Sequence, residues 1–280
     1  MIDPFELPME TGKRLRLRRI FRREKTIIVP MDHAIYYGPI EALQDPRELV
    51  RRMAAGGADG ILIPPGTLPR VVDVVGPMAI LLRLDGTVSR LGAHLELTSR
   101  IRAVEQAAAL GADAVVLNVY VGTDNEDSLL RKLGETADAC RQCGLLLVGE
   151  MIPAPLLNAH YGKGPDGLSP ERRAEYIGVA ARIGAEIGAD ILKINYSGTP
   201  DSFRPVTRNA LRPALVAGGV KSGTPLEFLR SVRDALDAGA AGICAGRNLW
   251  DRPNVDGLLG ALYKVVHGDA SVEEAVAELE

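Results

Sequence analysis

Short runs of four to six apolar residues recur along the chain, and polar residues do not alternate within them. The runs begin near residues 26, 58, 79, 113, 145, 189, 213 and 241. Continuous runs of this length are typical of strands that are buried on both faces, as in parallel sheets covered by helices. Stretches of helical character separate most of the runs, over 98–110, 127–142, 170–187 and 225–238.

A repeated phrase marks the passage from helix to strand. Residues 54–63 read AAGGADGILI and residues 108–117 read AALGADAVVL, and the segments 184–194 and 237–246 have the same form. A glycine after the last helical turn suits a left-handed C-cap, and its small neighbour lets helix and strand approach closely. Eight such units in about 250 residues predict a (β/α)8 TIM barrel of the α/β class. A doubly wound open sheet is the alternative, although no G-x-G-x-x-G follows the first strand.

The units follow one another without a long polar linker, so we predict that residues 1–280 form a single barrel domain. Residues 1–25 are expected to be an extra N-terminal helical extension, with its helix over 9–24. Eight lysines and arginines lie between residues 13 and 25. Because the rest of the chain is net acidic, we expect this basic helix to cover the bottom of the barrel rather than to bind RNA or an anionic surface.

The composition narrows the class of protein. Hydrophobic residues make up 46% and charged residues 25%, which is typical of a globular protein. A net charge of −3 and 4% aromatic residues argue against a nucleic-acid partner. No apolar run approaches the length of a membrane span and no secretory h-region is present, so we expect no membrane partner and a cytoplasmic location. Cys140, Cys143 and Cys244 are expected to be reduced and packed, with no metal site, since the histidines are scattered.

Lys193 is the residue that most clearly indicates a reactive group. Barrel enzymes carry their reacting groups at the carboxyl ends of strands, and Lys193 interrupts an apolar run there. One interpretation is a buried ion pair, for instance with Asp32. The other is an amine whose pKa is lowered by burial and neighbouring cations, so that it can attack a carbonyl group and form a Schiff base.

Two glycine-bearing strand ends provide the second signal. Ala217-Gly218-Gly219 ends the seventh strand and Gly246-Arg247-Asn248 ends the eighth. Barrels commonly bind phosphate with the loops after these two strands, where backbone N–H groups and an arginine hold the anion. Ser222 and Thr224 are candidates for further hydroxyl contacts. Alternatively, these glycines serve only to form tight turns. Together with Lys193, the two glycine-bearing strand ends favour a phosphorylated carbonyl substrate.

Four segments, 12–40, 189–203, 215–221 and 245–253, closely resemble archaeal-type class I fructose-bisphosphate aldolases. The resemblance extends in the same order over nearly the whole chain. It is greatest to the branch that builds a seven-carbon amino sugar acid from aspartate semialdehyde and a ketose-phosphate-derived donor. The resemblance implies a Schiff-base enzyme without metal or other cofactor, and a homo-oligomer that is often a decamer.

Carried over by position, the resemblance implies roles for individual residues. Lys193 would form the Schiff base, and Asp32 would bind substrate hydroxyls and assist proton transfer. Lys221 would depress the pKa of Lys193. The phosphate cradle and the remaining substrate-binding residues would be Gly218, Gly219, Gly246, Arg247, His33 and Asn118.

One departure from the family concerns the end of the fifth strand. The family has Met-Tyr-Pro-Arg-Gly there, with the tyrosine as general acid/base, whereas this chain has Ile152 in the tyrosine position. An insertion over 156–167 follows. Glu150 is our first candidate for the missing role, and Tyr161 or His160 of the insertion is the second. Alternatively, the insertion is only a lid or a subunit contact.

These observations predict a class I aldolase that joins dihydroxyacetone phosphate or a related ketose phosphate to an aldehyde, with aspartate semialdehyde as the leading candidate. The product would be 2-amino-4,5-dihydroxy-6-oxo-7-(phosphooxy)heptanoate or a 2-amino-3,7-dideoxy-hept-6-ulosonate. The alternatives are a fructose-bisphosphate aldolase, a phosphate-binding barrel isomerase with Asp32 or Glu150 as base, and a barrel without catalytic activity.

Overall fold

Eight parallel strands pair in chain order, and β8 returns to pair with β1, so the sheet closes into a barrel. The computed structural model describes residues 3–6, 9–86, 88–92, 94, 96–219, 221 and 223–279. The strands are β1 Thr26–Pro30, β2 Gly60–Ile63, β3 Ala79–Arg83, β4 Ala114–Val121, β5 Leu146–Pro153, β6 Ile191–Ile194, β7 Ala214–Ala217 and β8 Gly242–Cys244. The closed barrel confirms the (β/α)8 prediction and excludes the doubly wound open sheet.

Helices surround the barrel and connect most of its strands. They are α1 Thr11–Ile20, α2 Ala34–Tyr37, α3 Pro46–Ala55, α4 Val104–Ala109, α5 Glu126–Cys143, α6 Leu157–His160, α7 Pro170–Ile187, α8 Pro200–Asn209, α9 Pro225–Asp237, α10 Arg247–Trp250, α11 Val255–His267 and α12 Val272–Val276. Short 3-10 turns cover Glu41–Leu43, Leu68–Arg70, Ala154–Leu156 and Ala277–Leu279. In the described residues, no helix is long and apolar enough to cross a membrane.

Two predicted helices are shorter than expected. The stretch 98–110 is helical only over Val104–Ala109, because Arg100 pairs with Asp85 as an isolated β-bridge and holds the preceding backbone extended. The helix predicted over 9–24 covers Thr11–Ile20. It ends there because the Thr26 hydroxyl donates a hydrogen bond of 2.6 Å to the carbonyl of Ile20.

Helix α1 closes the amino-terminal end of the barrel, as expected. Leu17, Ile20 and Phe21 are buried and belong to the same cluster as the apolar side chains inside the barrel. The basic residues hold the helix on the strands: Lys13 Nζ lies 2.7 Å from a carboxylate oxygen of Asp190. Its charges therefore anchor the fold.

The aspartates of the repeated phrase connect neighbouring strands. Each precedes its own strand, and its carboxylate accepts a hydrogen bond from a backbone N–H of the strand before. Asp59 accepts from Ile27 at 2.8 Å, Asp113 from Ile80 at 3.0 Å and Asp190 from Leu147 at 2.8 Å. These bonds satisfy donors at strand starts and help set the register.

The interior of the barrel changes from apolar to polar at one level. Leu81, Val116, Val148 and Ile191 belong to the interior apolar cluster. Side chains on one face of a strand recur every second residue. The next inward residues on these strands are therefore Arg83, Asn118, Glu150 and Lys193, and all four are buried.

Candidate active site

Lys193 points into the barrel, and a carboxylate faces it. Glu150 and Lys193 are register partners on β5 and β6. This pairing brings Lys193 Nζ to 2.6 Å from Glu150 Oε1, with both side chains buried. The ion pair expected from sequence as one interpretation of Lys193 therefore exists, although its partner is Glu150 rather than Asp32. A cavity lies beside it, so the pair is accessible to a ligand.

Arg83 connects the carboxylates of the polar layer. Its Nε donates to Asp32 Oδ2 at 2.7 Å, and one Nη donates to Glu150 Oε2 at 2.6 Å. The other Nη donates to Asn118 Oδ1 at 3.2 Å and to Asp85 Oδ1 at 3.4 Å. The sequence analysis missed this residue. The signal was present, since Arg83 interrupts an apolar strand just as Lys193 does.

Asp85 does not line the cavity. It is fully buried and accepts a hydrogen bond of 2.8 Å from Lys132 Nζ, in addition to its bond from Arg83. Three buried cations, Arg83, Lys132 and Lys193, thus stand among three buried carboxylates, Asp32, Asp85 and Glu150. Each charge has an opposite partner, which is the condition under which charges can be buried.

The pKa of Lys193 is raised, which contradicts the lowered pKa expected from sequence. Burial, the largest single influence on this pKa, disfavours the charged amine, but Glu150, Cys244 and Asp32 together outweigh burial and keep the amine protonated. The sequence argument counted neighbouring cations and did not know of the Glu150 carboxylate. Attack on a carbonyl group therefore requires that a proton first leave Lys193.

Both carboxylates beside Lys193 are ionised. Burial opposes the charge on Glu150, yet Lys193 and Arg83 lower the pKa of this carboxyl group well below its usual range. Burial also opposes the charge on Asp32, and Arg83 again reverses the effect and lowers the pKa. Each carboxylate can accept a proton from a bound group.

A small cavity opens above the polar layer. Its lining residues include the predicted catalytic and phosphate-binding groups together with two tyrosines that the sequence analysis did not single out. They are Pro30, Asp32, His33, Tyr36, Tyr37, Arg83, Asn118, Glu150, His160, Tyr161, Lys193, Ala217, Gly218, Gly219, Cys244, Gly246 and Arg247. The structure thus brings together the predicted catalytic residues Lys193, Asp32, Glu150 and Tyr161 with most of the predicted substrate-binding residues.

The two glycine-bearing strand ends form one side of the cavity. A side chain at Gly218 would place its Cβ 2.7 Å from the Cβ of Ala245, so the close approach of β7 and β8 requires glycine there. Gly219 has a φ of +63°, which favours glycine. The Arg247 guanidinium donates to the Gly219 carbonyl at 3.1 Å. Its buried Nε has no hydrogen-bond partner among the described residues.

Two other residues of this region, Lys221 and Thr224, do not line the cavity. Lys221 is partly exposed and its Nζ lies 3.2 Å from Asp251, so it does not act on Lys193. Thr224 caps α9 and forms a capping box with Glu227. Ser222 lies outside the described residues.

The insertion folds back over the cavity, and two of its residues, His160 and Tyr161, line it. His160 Nε2 lies 4.0 Å from Glu150 Oε1. Burial lowers the pKa of His160 to about 4, more than the Glu150 charge raises it, so the imidazole is neutral at pH 7. The hydroxyl of Tyr161 is hydrogen-bonded to that of Tyr120. The insertion therefore contributes to the lining of the cavity.

His33 lies beside the phosphate cradle, since a Cβ at Gly246 would be 3.0 Å from its Cε1, and Asn118 lies on β4 next to Glu150. His33 packs edge-on against Trp250, with ring centroids 5.3 Å apart, and burial lowers its pKa to about 4. The Asn118 amide donates to the hydroxyl of Tyr36 at 2.6 Å. Tyr36 follows Asp32 closely in the sequence, and this proximity is the signal that could have identified it.

The cysteines do not form a cluster, although Cys244 lines the cavity. Cys140 and Cys143 lie on α5, whereas Cys244 lies on β8, and all three are free thiols. In the part of the chain that the structure describes, no three His, Cys, Asp or Glu side chains converge as metal ligands.

Comparison with known proteins assigns this arrangement to a family. Residues 26–252 match the DeoC/LacD family of aldolases. The chain is 35% identical over 268 residues to 2-amino-3,7-dideoxy-D-threo-hept-6-ulosonate synthase of Halobacterium salinarum, with 96% of each chain covered. It is 34% identical over 268 residues to 2-amino-3,7-dideoxy-D-threo-hept-6-ulosonate synthase 1 of Archaeoglobus fulgidus, with 95% of each covered.

A solved structure gives the same result. An archaeal fructose-1,6-bisphosphate aldolase, with its catalytic lysine covalently bound to the carbinolamine intermediate of the substrate, superimposes with a TM-score of 0.80. Its sequence identity is 31%, and the match covers 91% of this chain and 99% of that one.

The fold and the sequence are thus those of a carbon–carbon lyase that works through a Schiff base. The chain belongs to the DeoC/LacD family of aldolases. It is a class I aldolase, which bonds its substrate covalently to a lysine and requires no metal or other cofactor, because the protonated imine itself withdraws electrons. The family and class expected from the resemblance are confirmed.

Proposed function

We propose that Lys193 forms the Schiff base with a phosphorylated ketose donor, and that the resulting enamine adds to aspartate semialdehyde. The observation that carries this proposal is the Lys193–Glu150 pair, 2.6 Å apart, beside a cavity whose far side is the glycine and arginine cradle. This arrangement supports a nucleophile with its own proton acceptor, held at a fixed distance from a bound phosphate.

Glu150 supplies the proton transfers that the raised pKa of Lys193 requires. It takes one proton from the ammonium group, which frees an electron pair to attack the ketone carbon. Two of the three ammonium protons end on the ketone oxygen, which leaves as water, and the nitrogen keeps one as the iminium ion. The Glu150 carboxylate then removes a proton from the neighbouring donor carbon to give the enamine.

Asp32 and Arg83 complete the donor side. Asp32 lines the cavity, so its free carboxylate capacity suits a donor hydroxyl. Arg83 holds Asp32 and Glu150 at the same time, with bonds of 2.7 and 2.6 Å. It thereby fixes the spacing between the group that binds the hydroxyl and the group that moves the proton.

The charges in the cavity favour a substrate with one phosphate. Of the lining cations, Arg83 and Lys193 are bound to carboxylates. Arg247 is the lining cation that has no carboxylate partner within the described part of the chain. A donor such as dihydroxyacetone phosphate satisfies this cradle. A bisphosphate would place its second phosphate near hydroxyl groups instead of a cation.

The choice of aspartate semialdehyde as the aldehyde acceptor rests on the relatives and on the hydrogen-bonding residues that line the cavity. Two relatives at 34–35% identity carry the name of an amino-dideoxy-heptulosonate synthase, and the family resemblance implies aspartate semialdehyde. The neutral hydrogen-bonding groups of Tyr36, Asn118 and Tyr161 suit a polar acceptor without phosphate. Fructose 1,6-bisphosphate cleavage is the second candidate, since solved neighbours catalyse it by name.

A paired assay tests the substrates. The protein is incubated with dihydroxyacetone phosphate and aspartate semialdehyde, and separately with fructose 1,6-bisphosphate, and products are followed by mass spectrometry. We expect a seven-carbon amino sugar acid phosphate in the first reaction, with a kcat/KM at least tenfold above that of bisphosphate cleavage. The reverse ranking would overturn the substrate assignment.

We further propose that the protein acts in the cytoplasm as a homo-oligomer, in accord with its family. Sedimentation of the purified protein tests the second part: a single species larger than one chain of 30.0 kDa is expected. A stable monomer with full activity would contradict it.

A further inference from the structure

Two phenol groups meet at the level where Ile152 interrupts the family pattern. Tyr120 on β4 and Ile152 on β5 are register partners, so their side chains leave the sheet at the same height and on the same face. The hydroxyl of Tyr120 is hydrogen-bonded to that of Tyr161, which the insertion brings back over the barrel. A phenol pair therefore lies beside Ile152.

The two tyrosines are not equivalent. Tyr161 lines the cavity, whereas Tyr120 is fully buried and lies outside the lining. Only Tyr161 can touch a ligand. When Tyr120 donates its hydroxyl hydrogen to the Tyr161 oxygen, the hydrogen of Tyr161 remains available for a ligand in the cavity.

The strand that carries Tyr120 lies across the barrel from the phosphate cradle, while the insertion that carries Tyr161 reaches the cradle, since Arg247 donates a hydrogen bond of 3.5 Å to the carbonyl of His160. Tyr120 extends from β4 and the insertion follows β5, while the cradle lies at the ends of β7 and β8. In a closed barrel of eight strands, β4 lies opposite β8. A donor that is held by its phosphate in the cradle and bonded to Lys193 on β6 therefore occupies the same cavity that Tyr161 lines.

We propose that Tyr161 is the general acid that protonates the oxygen of the acceptor aldehyde, and that Tyr120 is the residue that positions it. This inference rests on the proposed function, since it assigns a step of that reaction. The insertion is then a catalytic element that supplies a phenol from a different part of the chain than the tyrosine of the family.

The step balances as follows. The enamine electron pair forms the new carbon–carbon bond, and the electron pair of the aldehyde C=O bond moves to its oxygen. That oxygen takes the proton of the Tyr161 hydroxyl, and the nitrogen of Lys193 becomes an iminium ion again. The phenolate recovers a proton from water, which balances the proton that Glu150 removed from the donor carbon and released.

The variant Tyr161→Phe separates this step from the earlier ones. Borohydride trapping with dihydroxyacetone phosphate reports the Schiff base, and hydrogen exchange at the donor carbon in D2O reports the enamine. We expect both to stay within threefold of wild type, while turnover with the aldehyde falls by about 100-fold, the usual range for a lost general acid. Tyr176→Phe, which removes a half-buried phenol from α7 outside the cavity lining, is the matched control and should leave all three unchanged.

Two results would overturn the assignment of Tyr161. One is turnover within threefold of wild type. The other is a parallel loss of trapping, exchange and turnover, because Tyr161 would then serve the whole site or the donor side. If the proposed function itself is wrong, the result differs: the wild-type protein then forms no borohydride-trapped adduct with dihydroxyacetone phosphate.

Tyr120→Phe tests the positioning role. We expect kcat to fall about tenfold with the KM for the aldehyde unchanged, and the double variant to be no slower than Tyr161→Phe alone, because the two hydroxyls act as one unit. Independent, multiplying defects, or a lowered melting temperature with unchanged kcat, would show that Tyr120 only supports the barrel rim.

Discussion

Lys193 Nζ lies 2.6 Å from Glu150 Oε1, so the amine at the centre of the site rests as one half of a buried ion pair. The pair explains both why a lysine can be buried among apolar strands and why its pKa is raised. It also gives Glu150 two tasks, since the group that stabilises the ammonium is the one placed to take its proton.

Glu150→Gln should separate these two tasks. Loss of the carboxylate removes the main group that raises the pKa of Lys193, so burial and Arg83 then lower it. We nevertheless expect turnover to fall by about 100-fold or more, because the amide cannot accept a proton. The pH dependence of borohydride trapping measures the pKa. A variant with full turnover would show that Glu150 is only a counter-ion.

Arg83 should matter for folding as well as for activity. Arg83→Met leaves Asp32 and Glu150 buried without their shared partner, and we expect a loss of about 3–5 kcal/mol in urea unfolding. Arg83→Lys keeps the charge but not the fork of donors. It should lose less stability and still turn over slowly. Equal stability of Arg83→Met and wild type would refute the account of the polar layer.

The two buried histidines predict a pH dependence of stability. Burial lowers the pKa of His33 and of His160 to about 4 from an ordinary value of 6.5. Between these values the unfolded chain binds protons that the folded chain does not, so the free energy of unfolding should decrease as the pH falls from 6.5 to 4. Urea unfolding at several pH values measures the slope.

His160→Asn provides the control for this slope. The variant removes one of the two histidines, so the dependence between pH 4 and 6.5 should become clearly shallower. An unchanged slope in the variant would mean that His160 is not kept neutral in the folded protein.

Gly218→Ala should weaken phosphate binding. The added Cβ would lie 2.7 Å from the Cβ of Ala245, so the cradle must shift. We expect the KM for dihydroxyacetone phosphate to rise about tenfold, which corresponds to about 1.4 kcal/mol, while adduct formation with unphosphorylated dihydroxyacetone stays the same. Gly66→Ala is the matched control, because a Cβ there meets nothing within 4 Å. Equal KM values for both variants would contradict the cradle.

Local sequence patterns were sufficient to predict the strands of the barrel and their order. Strands buried on both faces and glycine-terminated helices leave strong signals, so the eight strands begin within two residues of their expected positions. The contacts of the polar layer were harder to predict from the sequence, because its hydrogen bonds and ion pairs join residues far apart in the chain. The partner of Lys193 depends on the register of β5 against β6, which spacing alone does not reveal.

Arg83 and Tyr120 are two further residues whose roles the sequence pattern did not reveal. Arg83 looks like a polar residue at the end of a strand, and its role emerges only when four partners from four other positions surround it. Tyr120 becomes significant only because the insertion returns Tyr161 to it. The departure at Ile152 was visible in the sequence, whereas the direction in which the insertion folds was not.

The covalent adduct at Lys193 tests the central claim most directly. The protein is incubated with dihydroxyacetone phosphate, reduced with borohydride and digested, and the modified peptide is mapped by mass spectrometry, with Lys132, the other buried lysine of the polar layer, as internal control. The account requires the reduced adduct on Lys193, an unmodified Lys132, and no adduct in Lys193→Met. An adduct on any other lysine, or none under conditions of turnover, would contradict it.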